Sequence, residues 1–342
     1  MEITPTATFV MPAYNAAPYI SRAIESILAQ TRRDWRLIVV NDVSTDDTRD
    51  IVMRHAARDP RIRLLDMPRP SGCAYQPRKH AIESAETEFV APLDADDWIA
   101  PDYLEQLIRA REERDADAVY PTMYSVNEGN ESEMPRRYLP EADFQLYDRG
   151  VAGHDCIKYT LDGWRMGFNG GLIRREAYLR AQSRLDADAG GIYADELLTR
   201  FLLPELKRVT VSEARYYYFL HSASVTHVPT ARALEYLDNN IFLIRHCRER
   251  YGEDSEEYRL AQRQNFHGIF EAMRRINDPA MPRGEKRKAQ EMVSRSIAAA
   301  DLPYLRGKVS PRYHHLLRIA GLNARHLLRL LDPLIGHSRG HD

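Results

Sequence analysis

The sequence predicts an α/β protein with a Rossmann-like, mostly parallel sheet flanked by helices, followed by an α-helical C-terminal region. Three observations carry this. Short apolar runs alternate with segments of helical periodicity through the first 125 residues, and WRLIVVND (35–42) is continuously apolar, as a strand buried on both faces must be. Asn15, Asp42 and Asp94 each stand where such a run stops. Alternating strands and helices form a doubly wound parallel sheet, whose ligands bind beyond the carboxyl ends of its strands.

The elements follow in order. TATFVMPAYN reads as a short buried strand broken at Pro12, and 18–30 places Ile20, Ala23, Ile24, Ile27 and Leu28 on one helical stripe. After WRLIVVND, the run STDDT suggests a helix start with Ser44 and Asp47 at capping-box spacing, and Ile51, Val52 and His55 share the next helical face. IRLLDM is a third strand, AYQPRKHAIESAE a third helix interrupted near Pro77, and EFVAPLD a fourth strand. A helix from Asp102 to Glu113, with Pro101 at its start, precedes a strand in AVYPTMYSV. Between Asn127 and Asp162 the composition turns mixed and polar, which suggests an insertion or a long loop over the site. Helical patterning returns over Arg232–Arg275 and Glu285–Ala300. The expected organisation is therefore one domain over 1–228, with parts over 1–125 and 126–228, then a helical region over 229–342.

Composition narrows the functions. The 342 residues carry 48 basic against 50 acidic side chains, so no global field recruits nucleic acid. Cys73, Cys156 and Cys247 are odd in number and widely spaced, which argues against a disulfide framework or a zinc knuckle and suits a reducing compartment. No apolar run approaches the ~18 residues of a membrane span, and the N-terminus does not read as a secretory signal. A cytoplasmic protein is expected.

In PLDADDW (92–98) three carboxylates fall within four residues behind an apolar run. Such crowding suits a hard divalent cation such as Mg2+ or Mn2+, which takes oxygen ligands. Alternatively, Asp96 and Asp97 open a helix whose dipole favours negative charge.

With these motifs the sequence resembles the family 2 glycosyltransferases, inverting enzymes of the GT-A fold. The resemblance spans about residues 6–228. It rests on Pro12-Ala13-Tyr14-Asn15 after the first strand, Val40-Asn41-Asp42 with Ser44-Thr45-Asp46-Asp47-Thr48 after the second, Gly72 followed by Arg78, Leu93-Asp94-Ala95-Asp96-Asp97, and Asp195-Glu196. It implies that Pro12, Ala13, Tyr14 and Asn15 line the nucleotide pocket of a nucleotide-sugar donor, typically a UDP-sugar. Asp42 would bind the base, Arg78 the nucleotide, and Asp94 with Ala95 the ribose or the metal shell. Asp96 would coordinate the Mn2+ or Mg2+ that bridges the donor's phosphates, with His221 or His227 as a late ligand. Trp164 and Asn169 stand where the family contacts its acceptor, a glycan or lipid-linked hydroxyl. The chain departs from the family pattern at Val43, where a glycine is usual, at Lys79, where an asparagine is usual, and at Ala194, where the usual ED dipeptide keeps only its second acid.

Transfer to a hydroxyl needs a base, because that hydroxyl becomes a competent nucleophile only when a positioned carboxylate takes its proton. Asp195 matches the family's catalytic aspartate, although Asp195 and Glu196 could also serve only as acids in a helix's first turn. One base opposite the leaving group implies a single displacement with inversion. A non-catalytic nucleotide-sugar-binding or scaffold protein and a nucleotidyltransferase are the alternatives; the latter would normally carry a glycine-rich phosphate loop that TFVMPAYNAAPY lacks. From Arg306 to Asp342, seven basic residues, five histidines and leucine clusters suggest a basic amphipathic helix. It would pack on its own domain or on a second copy in a homo-oligomer, or lie on the inner face of an anionic membrane.

Overall fold

A computed structural model describes residues 4–130, 136–137, 141–161, 170–185, 191–221 and 228–301. Two compact units divide them. The first contains the residues up to Thr160 together with 170–185 and 194–221, and the second holds Leu161, 191–193 and 228–301.

The first unit is a mixed α/β structure. Its strands are β1 (Ala7–Ala13), β2 (Trp35–Asn41), β3 (Ile62–Asp66), β4 (Phe89–Pro92), β5 (Trp98–Ile99), β6 (Ala118–Asn127), β7 (Arg136–Arg137), β8 (Leu172–Arg174) and β9 (Val209–Leu220). Among the described residues they join one sheet in the order β3-β2-β1-β4-β8-β6-β9-β5, with β7 beside β6. Strands β1 to β4 pair in parallel, as do β6 and β9, whereas β8 runs antiparallel between β4 and β6. Its helices are α1 (Ile20–Leu28), α2 (Thr48–Ala56), α3 (Tyr75–Ser84), α4 (Tyr103–Arg114), α5 (Glu141–Asp148), α6 (Gly153–Leu161), α7 (Arg175–Gln182) and α8 (Ala194–Leu202).

Local chemistry explains these elements. β1 is buried along its whole length, and α1 turns Ile20, Ala23, Ile24 and Ile27 into the same core. Each of these side chains contributes about 1.5–3 kcal/mol relative to exposure, Ala23 less. The expected capping box after β2 does not form. Ser44 Oγ instead accepts from the Asn15 N–H at 3.0 Å, and Asp46 accepts the Thr48 N–H at 3.0 Å, so helix α2 begins at Thr48. Pro77 does not interrupt α3. It is the third residue of the helix, where its missing N–H would have had no intrahelical partner. The polar stretch after β6 is not one long loop, because it contains α5 and α6.

The second unit is helical: α9 (Tyr236–Tyr251), α10 (Glu256–Ile276) and α11 (Arg283–Ala298). Gly252, at φ +87°, ends α9, and Ser255 caps α10 by accepting the Tyr258 N–H at 3.1 Å. Leu237, Ile269, Met273, Val293 and Ile297 form its core. No helix among the described residues is long and apolar enough to cross a membrane. The basic tail of 302–342 lies outside the described residues.

Candidate active site

Three parallel strands end side by side, and their sequels make the site. Beyond β1, Tyr14 is exposed and Asn15 adopts φ +47°, a left-handed conformation that asparagine tolerates. Its Oδ1 accepts the Thr45 N–H at 2.8 Å, which ties the β1 turn to the β2 turn. Asp42, at the end of β2, is buried and accepts from both the Ser71 N–H and the Ser71 hydroxyl at 2.8 Å. Val43 sits at φ +58°. A β-branched residue resists that region, so the turn that a glycine would make freely stores strain here.

The three carboxylates after β4 have separate partners. Asp94 accepts from the Arg78 Nη2 at 2.5 Å, and Arg78, on α3, is itself buried. Burial opposes the Arg78 charge, but Asp94, Tyr178 and Asp195 outweigh it and hold the guanidinium above its ordinary pKa. Asp96 lies 3.0 Å from His221 Nε2, and that hydrogen bond, against burial, raises the imidazole pKa. Asp97 is fully buried, accepting from the Tyr216 hydroxyl at 2.6 Å and the Phe219 N–H at 2.8 Å. Desolvation first, then Asp96 and Asp94, push its pKa well up. The acids do not begin a helix; they lead into β5, which pairs with β9.

Asp195 lies in the first turn of α8, as both sequence readings require. Burial raises its pKa, Arg78 lowers it, and Asp94 raises it again. Arg78 and Asp195 wall one small cavity of about 10 Å³ with Pro92, Tyr120, Ile173, Tyr178, Thr199 and Leu202. Residues from α3, β4, β6, β8, α7 and α8 thus meet at the end of β4. Trp164 and Asn169 lie outside the described residues, as does His227. Lys79 turns along α3 toward Glu83, 4.0 Å away.

Several residues of this site escaped the sequence reading. Arg22 donates to the Asp96 carbonyl at 2.9 Å while its guanidinium lies over Trp98 and Phe219, 3.9 and 4.4 Å from their ring centroids. Tyr19 packs on His221 with centroids 4.7 Å apart. Tyr216 and Phe219 belong to β9, whose alternation of buried and exposed residues over Ser212–Tyr216 was the available signal.

The Asp96–His221 pair can accommodate a cation. Two neighbouring octahedral ligands at ~2.1 Å from a metal stand about 3.0 Å apart, which is the separation observed. No group of three His, Cys, Asp or Glu side chains converges among the described residues. Mg2+ and Mn2+ sites commonly complete their shells with phosphates and water, so two protein donors suffice.

A parallel sheet with acidic turns at its carboxyl edge, crossed by an antiparallel strand and backed by a second run of parallel strands, defines a GT-A fold. Residues 8–165, somewhat under half of the chain, match the family described as Glycosyl transferase family 2. TuaG of Bacillus subtilis (strain 168) is 38% identical over 159 residues, covering 46% of this chain and 60% of TuaG. Chondroitin synthase of Pasteurella multocida (strain Pm70) is 29% identical over 168 residues, covering 48% of this chain but 17% of that enzyme. The chain thus spans less than two thirds of either relative's length. Among solved structures, S. aureus TarS 1–349 in complex with UDP-GlcNAc has a TM-score of 0.73 at 18% identity, covering 98% of this chain and 93% of that one. A mannosyltransferase from Pyrobaculum calidifontis in complex with GDP-Man and Mn2+ has a TM-score of 0.54 at 16% identity, covering 96% and 87%.

Proposed function

We propose that the protein is an inverting, metal-dependent glycosyltransferase that transfers a sugar from a nucleotide-sugar donor, a UDP-sugar, to a hydroxyl of a glycan or lipid-linked acceptor. The observation that carries this reading is the meeting of Asp94 and Asp195, about a hundred residues apart in sequence, around the buried guanidinium of Arg78. A structural ion pair needs one carboxylate; a second, desolvated carboxylate beside it suits a base held ready for a proton. Similarity to TarS, solved with UDP-GlcNAc, supports the donor class.

In this reading the domain over 1–228 binds the donor through its first 125 residues and the acceptor through 126–228, and 229–342 forms a helical region. Asp42, with Pro12, Ala13, Tyr14 and Asn15, receives the nucleotide, while Arg78, Asp94, Ala95 and Asp96 face its ribose and diphosphate. Asp195 takes the proton of the acceptor hydroxyl as its oxygen bonds to the anomeric carbon. The bond from that carbon to the diphosphate breaks, the pair of electrons leaves with the diphosphate, and the configuration inverts. A Mn2+ or Mg2+ held by Asp96 and His221 would supply Lewis-acid stabilisation of the departing diphosphate. Trp164 and Asn169 would contact the acceptor.

The test compares wild type, Asp96→Ala and Asp195→Asn for Mn2+-dependent binding and turnover of UDP-GlcNAc and a panel of other nucleotide-sugars. Asp96→Ala should lose the metal-dependent part of donor binding. Asp195→Asn should bind donor like wild type and turn it over at least about a hundredfold more slowly; an unchanged rate would remove Asp195 from the role of base.

A further inference from the structure

The small cavity beside Asp195 holds two polar atoms that the mechanism does not use. Arg78 Nε and Tyr120 Oη are buried, have no hydrogen-bond partner among the described residues, and belong to side chains that wall this cavity with Asp195, Tyr178 and Thr199. Tyr120, the third residue of β6, is 1% exposed and pairs with Val211 of β9. Leaving such groups unpaired costs about 1–3 kcal/mol each. Buried polar groups are otherwise satisfied by protein or by an ordered water. The cavity, about 10 Å³, is at the lower limit for one water, and its wall offers that water donors in Arg78 and Tyr120 and an acceptor in Asp195. Pro92, Ile173 and Leu202 make the apolar part of the wall, and the Thr199 hydroxyl is already engaged, donating to the Asp195 carbonyl at 2.9 Å.

We propose that one buried water joins Tyr120 Oη, Arg78 Nε and the Asp195 carboxylate, and that Tyr120 is thereby a positioning residue for Asp195. Arg78 is engaged by Asp94 through Nη2, which leaves its Nε edge to serve Asp195. The water fixes the carboxylate on its inner side, so that its outer oxygen keeps one orientation toward an arriving hydroxyl. The Asp195 Oδ1 accepts the Glu196 N–H at 2.9 Å, a local contact that leaves the carboxylate's other oxygen to be fixed by its surroundings. This inference rests on the reading of Asp195 as the base, but the water itself does not.

The experiment pairs crystal structures of wild type and Tyr120→Phe with steady-state hydrolysis of UDP-GlcNAc in Mn2+ for wild type, Tyr120→Phe and Asp195→Asn. In wild type a water should lie within about 2.7–3.2 Å of Tyr120 Oη, Arg78 Nε and an Asp195 oxygen. In Tyr120→Phe it should be lost or displaced, and Asp195 should change rotamer. Turnover by Tyr120→Phe should fall about tenfold or more with KM for UDP-GlcNAc within twofold, because misplacing a reacting group by about an ångström can cost a hundredfold. A dry cavity in wild type, or an unmoved Asp195 in Tyr120→Phe, overturns the proposal. A bound water with normal turnover in Asp195→Asn would leave the water standing and remove its catalytic purpose.

Discussion

Arg78 and Asp94 offer the sharpest energetic test. Their contact is 2.5 Å, with the arginine side chain 4% and the aspartate 24% exposed. Removing one partner of a buried ion pair leaves a charge that neither water nor protein satisfies, at a cost of about 3–5 kcal/mol. Asp94 retains some access to solvent, so Arg78→Met should destabilise the first unit by about 3 kcal/mol, the lower end of that range. Asp94→Asn keeps a carbonyl that accepts from Arg78, whose charge Asp195 still offsets, and should cost about 1 kcal/mol. In the double variant the charge that Arg78→Met strands at Asp94 is gone, and the total should be about 2 kcal/mol, a coupling of about 2 kcal/mol. Urea unfolding followed by tryptophan fluorescence reads this unit, because Trp35 and Trp98 lie within it and the remaining tryptophan is Trp164. Costs that add to within about 0.5 kcal/mol would refute the argument, since independent sites behave that way.

Further outcomes follow from other groups. Burial raises the folded-state pKa of Asp195 above its unfolded value, so this residue's ionisation weakens the fold as pH rises through the folded value. Asp195→Asn should therefore melt higher than wild type at pH 7, with the gap narrowing as pH falls and closing only below pH ~4, where the aspartate is protonated in folded and unfolded chains alike; thermal melts at several pH values check it, and a lower melting point at pH 7 would contradict the assigned shift. In wild type the acid limb of the turnover profile should lie above the ordinary aspartate range for the same reason. Val43→Gly should stabilise by about 0.5–1 kcal/mol, the relief of ~1–2 kcal/mol of left-handed strain less the entropy of a glycine; urea midpoints measure it, and a loss of stability would count against strain in this turn. Tyr216→Phe should cost about 1–3 kcal/mol, because it strips Asp97 of one of its two partners in a fully buried position; Tyr218→Phe, on the half-buried neighbour, is the control and should cost less.

The legible part of the molecule was that in which periodicity and burial agree. β1, α1, β2 and β4 are continuous or evenly spaced in apolar residues, and the structure buries those positions. The strand-end acids were legible for the same reason, since a parallel sheet brings its carboxyl ends to one edge. Strand β8 was not, because three residues (Leu172–Arg174) carry no period, and its place between β4 and β6 is set by pairing across the sheet. Spacing also does not reveal that Asp94, Asp96 and Asp97 each find a different partner. Arg78, His221 and Tyr216 come from remote elements, and only folding brings them to one loop. Val43 was visible as a substitution for glycine, but that the backbone would keep the left-handed turn was not.

The late position of β8 has a consequence for synthesis. From the last residue of β4, Pro92, to the first of β8, Leu172, about 80 further residues must emerge before the open side of β4 is covered. At about 5–20 residues per second the ribosome leaves that edge bare for several seconds, with its amide and carbonyl row free to template another strand. Slowing elongation over this interval should therefore increase aggregation of the nascent chain and its demand for chaperones, although the finished protein would be unchanged.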